Sequence, residues 1–272
     1  MSESIKIVKD YYDNNAAKEW ERLQTHNFEF EITSRFIKRY IKPGDKVLDI
    51  GGGPGRYSLF LANHGCNVTL FDLSDGNISI AKEKADELNV TIDTVVGDAR
   101  DVDNMVHDTF DHILLMGPMY HLLEEKDRIK AVNASLKLLK PGGLIFISFI
   151  AMFSGIIYFM KYCPEGLLDD SEALKDCLDA LLTKNSYSGD GFTKAHFSEQ
   201  SHILPFMEQF PLQKVHFFGQ EGILAPCELN IMNQPEEVKN AWIDLAVNLC
   251  ERDELIGYSE HIMYVGRKKE NI

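Results

Sequence analysis

Val47-Leu48-Asp49-Ile50-Gly51-Gly52-Gly53-Pro54-Gly55 is a short apolar run holding one acid that passes directly into four glycines and a proline. The Val/Leu/Ile run reads as a buried strand, and the glycines as a tight turn over which a ligand approaches the backbone closely. With helical periodicity beyond it, the segment is the strand–turn–helix opening of an α/β unit. Its spacing is informative. Counting GxGxxG from Gly51 puts Arg56 at the third position, and counting from Gly53 puts Ser58 there; no Gly-Lys-Ser/Thr closes a phosphate-binding loop. The turn therefore weakens a dinucleotide reading and excludes a P-loop.

Outward from this turn, short Val/Ile/Leu-rich runs alternate with helical periodicity between Lys46 and Phe149, the sign of βαβ units and a mostly parallel sheet. The expected strands are Lys46 to Ile50, Asn67 to Asp72, Thr91 to Val96, Asp111 to Met116 and Leu144 to Phe149. Ile78, Ala81, Ala85 and Leu88 form one helical stripe, with Ser74 or Asp75 as N-cap. Ile129, Val132, Leu136 and Leu139 form another, opened by Glu124 and Glu125 and stopped by Pro141-Gly142. Further strands are expected at Leu212 to Phe218 and His261 to Val265, and a helix at Ser198 to Phe210 capped by Ser198. No repeat or low-complexity linker divides the chain, which reads as a single domain over 1–272. It comprises an N-terminal lid (1–40), a core (41–150), a cap insertion (151–196) and the C-terminal part of the sheet (197–272).

The chain's 272 residues are enough for one large core. Its 42 acidic against 28 basic residues give a charge of −14, which repels a phosphate backbone, so no nucleic-acid partner is expected. Five scattered cysteines without a CxxC pair fit free thiols in a reducing interior. The charged N-terminal segment shows no secretory signal, so a cytoplasmic location is expected. Gly142 to Met160 lacks charge, but its Pro-Gly-Gly opening and Ser154-Gly155 break read as a strand followed by a cap segment rather than a membrane span. No Cys/His/carboxylate set has metal-ligand spacing, and no metal is expected.

Asp49 precedes the glycine turn, Asp72 ends the next strand, and Asp98 follows the third in Val96-Gly97-Asp98-Ala99. Acids at three successive strand ends suit a cationic, sugar-bearing ligand. On these residues, between about Lys46 and Phe149, the sequence resembles the class I S-adenosylmethionine-dependent methyltransferases, specifically the small-molecule type related to the ubiquinone/menaquinone-biosynthesis enzymes. The resemblance implies a Rossmann-like sheet of seven mostly parallel strands with helices on both faces, the last strand antiparallel, plus helical lid and cap insertions. It implies S-adenosyl-L-methionine as cofactor and S-adenosyl-L-homocysteine as product. Gly51, Gly53 and Gly55 would lie under the methionine moiety, with Asp49 near its ammonium. Asp72 would take the ribose hydroxyls, and Asp98 and the Ala99 N–H the adenine edge, with Leu73 and Met116 as its walls. Tyr12 and Arg22, in a run resembling the lid helix of related enzymes, would reach the carboxylate; as a plain reading, Arg22 is a solvated cation.

The acceptor is expected beyond the fourth strand, at Gly117-Pro118-Met119-Tyr120-His121. By resemblance, nucleobase N-methylases carry Asn/Asp-Pro-Pro-Tyr/Phe here, and the departure counts against them. His121 reads either as a general base or as a histidine bracing the loop, and Tyr120 as a positioning residue. Tyr187, Phe192, His196 and His216 are candidates to line the acceptor site. Met152, Phe153, Tyr158, Phe159, Met160 and Tyr162 suggest apolar pocket walls or, equally, core. The expected function is methyl transfer to an O, N, S or C atom of a small, partly apolar metabolite. An RNA- or protein-directed methyltransferase and a noncatalytic cofactor-binding module are the alternatives.

Overall fold

The computed structural model describes residues 2–270 except residue 26. Two helices, α1 (Glu3–Thr25) and α2 (Asn27–Tyr40), lead into β1 (Lys46–Ile50). The alternating part then runs α3 (Arg56–Asn63), β2 (Asn67–Asp72), α4 (Asp75–Leu88), β3 (Asp93–Val96), α5 (Val102–Met105), β4 (Phe110–Leu115), α6 (Pro118–His121), α7 (Glu125–Leu138) and β5 (Leu139–Ala151). The cap holds α8 (Ser154–Tyr162), α9 (Glu172–Leu182), β6 (Tyr187–Asp190) and β7 (Lys194–Ser198). The chain ends with α10 (Gln200–Met207), β8 (Leu212–Gly219), α11 (Glu228–Met232), α12 (Glu236–Leu249), α13 (Asp253–Ile256) and β9 (His261–Lys268).

Strands β3-β2-β1-β4-β5 pair in parallel, and β9 lies antiparallel between β5 and β8. This is the expected doubly wound α/β sheet with an antiparallel ending. Among the described residues it has nine strands rather than seven. The additional pair is the hairpin β6–β7, whose second strand pairs in parallel with Ile150 and Ala151 of β5, past the point where β4 stops. A long apolar β5 leaves that edge unpaired, and the hairpin covers its open N–H and C=O groups.

Strand parity splits the core into two layers. Leu48, Ile50, Ile113, Leu115, Ile145 and Ile147 face α7 and α10. Val47, Leu114, Leu144, Phe146 and Met263 face α2, α3 and α12. Phe28, Ile32, Phe36 and Ile37 give α2 its buried stripe at helical spacing. In α4, Ile78, Ala81 and Ala85 are buried as expected, but Leu88 is exposed in the last turn. Ser74 caps α4 by accepting the Asn77 N–H. Two of the expected helix signals fall elsewhere, while the Gly142 to Met160 stretch follows expectation. Helix α7 stops at Leu138, before Pro141, which lies inside β5. Ser198 belongs to β7, so α10 opens after Glu199 without a side-chain cap. The uncharged Gly142 to Met160 stretch divides between β5 and α8, and no helix among the described residues is long and apolar enough to cross a membrane.

Candidate functional site

The carboxyl ends of β1, β2, β3 and β4 open into one cavity roofed by α1. Asp49, buried at the end of β1, accepts a hydrogen bond from Ser58 Oγ at 2.7 Å. Burial pushes its carboxyl up to about 7, against the pull of the Ser58 bond. The chain then turns, with the Gly51 N–H on the Phe71 carbonyl at 2.6 Å and the Gly53 N–H on Asp72 Oδ2 at 2.8 Å. Asp72 also accepts the Ser74 N–H at 2.9 Å and Asn77 Nδ2 at 3.2 Å. Burial raises its pKa, and these three donors oppose the rise. Asn77 also lines the cavity, and its Oδ1 is buried without a hydrogen-bond partner among the described residues.

Asp98 caps the single turn after β3, accepting the Arg100 N–H at 3.0 Å, and Arg100 Nη2 approaches it at 2.6 Å. Burial pushes its pKa up, but the Arg100 contacts outweigh that and hold it low. Ala99, Leu73 and Met116 line the cavity next to it. Gly51 and Gly53 reach the lining; Gly55 does not, and packs behind the turn against Ala81 of α4.

The lid helix α1 is fastened to α4. Asp13 accepts from Ser74 Oγ at 2.6 Å and from the Gly76 N–H at 3.2 Å, and Lys9 Nζ spans Asp13 and Asp75 at 2.6 and 2.8 Å. This docking brings Ile5, Val8, Tyr12, Glu19, Arg22 and Leu23 over the cavity. Arg22, about half exposed, is forked by Glu19 of the same helix at 2.8 and 2.6 Å, so it is a solvated cation in a surface ion pair that also reaches the cavity lining. Tyr12 Oη lies 2.9 Å from His121 Nε2. His121 Nδ1 lies 3.2 Å from the Lys194 carbonyl, which only accepts, so Nδ1 carries the proton and Nε2 accepts from Tyr12. Both ring nitrogens are thus engaged within the protein, and burial pushes the imidazole down to about 4. Tyr120 lines the cavity without a hydroxyl partner among the described residues.

The far wall is made by residues that the sequence reading did not single out. Glu221, just past β8, accepts Ser259 Oγ at 2.6 Å and the Glu260 and His261 N–H groups at 3.0 and 2.9 Å. Its other oxygen meets His261 Nδ1 at 2.6 Å. Burial lowers the His261 pKa, yet Glu221 and the other nearby acids more than reverse this and hold it above the ordinary value. Lys161 of α8, its side chain 1% exposed, lies between Glu228 at 2.8 Å and Glu260 at 2.6 Å. Glu228 also accepts the Asn27 and Phe28 N–H groups at the start of α2. Glu29 accepts from Tyr57 Oη at 2.6 Å and Gln220 Nε2 at 2.7 Å, and Gln220 is bonded to Ser148. A sequence signal existed: β5 is parallel and β9 antiparallel to it, so the start of β9 shares the carboxyl end where ligands collect.

The cap candidates lie elsewhere. Tyr187 packs on Phe197 across the hairpin, and His196 pairs with Ser188 Oγ at 2.7 Å, because hairpin register sets these residues against each other. Burial pushes His196 down to about 3. Phe192 only reaches the rim, its ring 5.8 Å from that of His121. His216 sits within β8 between Tyr40 at 2.6 Å and Glu251 at 2.8 Å, away from the cavity. None of Met152, Phe153, Tyr158, Phe159, Met160 or Tyr162 lines it; Met152 is core, and Tyr158 and Met160 are about half exposed.

Residues 47–143 match a family model described as a methyltransferase domain. The ubiquinone biosynthesis O-methyltransferase of Actinobacillus pleuropneumoniae is 30% identical over 144 residues, 48% of this chain and 60% of that protein. Its counterpart in Coxiella burnetii is 30% identical over 155 residues, 53% of this chain and 64% of that protein. The chain thus spans less than two thirds of the length of these curated relatives. Among solved structures, N-methyltransferase NodS from Bradyrhizobium japonicum with S-adenosyl-l-homocysteine superposes with a TM-score of 0.58 at 14% identity, covering 97% of this chain and 100% of that one. Magnesium protoporphyrin IX methyltransferase from Synechocystis gives 0.59 at 12% identity, covering 98% and 100%. At these identities the superpositions speak for the fold.

Proposed function

We infer that this chain, a class I methyltransferase by its fold and by the domain at residues 47–143, transfers a methyl group from S-adenosylmethionine to a small, partly apolar organic acceptor. One observation carries the reading: the glycine turn and Asp49, Asp72 and Asp98, at the ends of three adjacent strands, line a single cavity. The activities that a relative and a structural neighbour are named for, O-methylation in ubiquinone biosynthesis and methylation of magnesium protoporphyrin, agree with a small-molecule acceptor.

The residues fit the cofactor. Carboxylates at Asp49 and Asp72 suit a sulfonium and an ammonium, and Asp72 offers acceptor oxygens to a diol. Leu73, Ala99 and Met116 supply apolar walls for a base. When bound, the cofactor supplies a methyl group on a good leaving group. The protein's share is then positioning and exclusion of water. Helix α1, clamped to α4 through Asp13, keeps water out, and Tyr12 and Arg22 face the methionine end from it. Calorimetry with S-adenosylmethionine, S-adenosylhomocysteine, NAD and ATP tests this. Binding of the first two alone is the expected result, and binding of NAD or of none would overturn it.

A further inference from the structure

The methyl donor and a base must meet the acceptor at one place, and the cavity holds two histidines. His121 has both nitrogens engaged, by Tyr12 and by the Lys194 carbonyl. His261 differs. Its Nδ1 is fixed by Glu221 at 2.6 Å, and Glu221 is itself held by Ser259 Oγ and two backbone N–H groups. Its Nε2 has no protein partner among the described residues, and its side chain is 26% exposed where it lines the cavity. A base oriented through its second nitrogen by a buried, immobilised carboxylate has the arrangement that proton abstraction requires. The Tyr120 ring lies 6.2 Å from the imidazole, centre to centre, on the side of the loop after β4.

We propose that His261, oriented by Glu221, is the catalytic base for a hydroxyl acceptor of phenolic type bound in the cavity alongside His261 and Tyr120. This rests on the methyltransferase reading above and narrows its acceptor. The acceptor class follows from proton chemistry. A neutral amine attacks with its own lone pair and sheds its proton afterwards, and a thiol near pKa 8.5 ionises largely unaided. A phenolic hydroxyl near 10 stays protonated at pH 7 and gains most from a base. In the step, the acceptor oxygen bonds to the methyl carbon as the carbon–sulfur bond breaks, its electron pair staying on sulfur. The hydroxyl proton moves to His261 Nε2, and Glu221 offsets the imidazolium charge until solvent takes the proton. The groups facing His261 are Glu221, Glu29 from α2, Glu260 with its Lys161 partner from α8, and Tyr120 from α6. The acids together favour the protonated ring, which Glu221 contacts directly.

The test uses the full chain with methyl-labelled S-adenosylmethionine. The probes are phenol, catechol and 4-methoxyphenol, set beside aniline and thiophenol. Transfer to a phenol is expected, with His261→Gln lowering kcat at least about 100-fold while S-adenosylhomocysteine affinity stays within twofold. Glu221→Gln should lower kcat and move the acid limb of the pH profile to lower pH, because it removes the anion that favours the imidazolium. Independently of turnover, the His261 ring resonance of the S-adenosylhomocysteine complex, assigned by its loss in His261→Gln, should titrate above the ordinary histidine value of about 6.5 and fall in Glu221→Gln. The proposal is overturned by retention of more than a third of kcat in His261→Gln, by an acid limb that Glu221→Gln leaves in place, or by methyl transfer to the amine or thiol but to no phenol. Transfer to no probe by protein that binds S-adenosylhomocysteine rejects the phenolic acceptor. Absence of S-adenosylhomocysteine binding removes the cofactor reading, and the proposal with it.

Discussion

Asp72 gathers three N–H donors on one buried carboxylate, so it orders the glycine turn and the start of α4 at once and still faces the cavity. Asp72→Ala should weaken S-adenosylmethionine binding by about 1.5–3 kcal/mol, read by calorimetry; unchanged affinity would remove it from the site. Asp49 makes a different prediction. Its pKa is raised from 3.8 to about 7 in the folded protein, so the folded state binds the extra proton between those values, and its contribution to stability is lost as pH rises through about 7. A cationic ligand favours the ionised form. Binding near pH 7 should therefore release protons, seen as a binding enthalpy that changes with the ionisation enthalpy of the buffer, and Asp49→Asn should abolish that dependence. Both acids were legible because strand end and glycine turn are local in sequence. His216 and His196 were misplaced because sequence distance does not reveal which face a side chain takes. Glu221 and His261 are brought together by the meeting of β8 and β9, 40 residues apart.

At the scale of elements, the glycine turn separates fold from freedom. Gly51 has φ +72°, and a Cβ there would lie 2.4 Å from the Pro118 ring. Gly53, at φ +58°, would meet nothing nearer than 3.9 Å. Gly51→Ala should thus disrupt the junction of β1 with α6 and the cofactor site together, whereas Gly53→Ala should cost only the left-handed strain, about 1–2 kcal/mol in denaturant unfolding. Equal losses would contradict the packing described. The parallel strands were readable from apolar runs between helical stripes. The β6–β7 hairpin was not, since Tyr187-Ser188-Gly189-Asp190 has little apolar alternation and its pairing depends on an edge of β5 created only by the fold.

The whole molecule is acidic, with a net charge of −14, and the cavity walls repeat that bias with Glu19, Glu29, Glu221, Glu228 and Glu260. S-adenosylmethionine carries one positive charge more than S-adenosylhomocysteine. Raising ionic strength from low to about 0.5 M should weaken the former by roughly threefold or more and the latter much less, measured by calorimetry. Equal salt dependence would mean that the surrounding field is not felt at the site. The same bias favours reactant over product, which helps turnover. The buried Lys161 extends this point from energetics to heredity. Its two counter-charges belong to the C-terminal part of the chain, one at the start of α11 and one just before β9. A recombinant carrying only the cap into a sister scaffold would strand an ammonium in a dry interior, at a loss on the order of 3–5 kcal/mol. The cap is therefore not an interchangeable module: any exchange of it has to transfer Glu228 and Glu260 along with it.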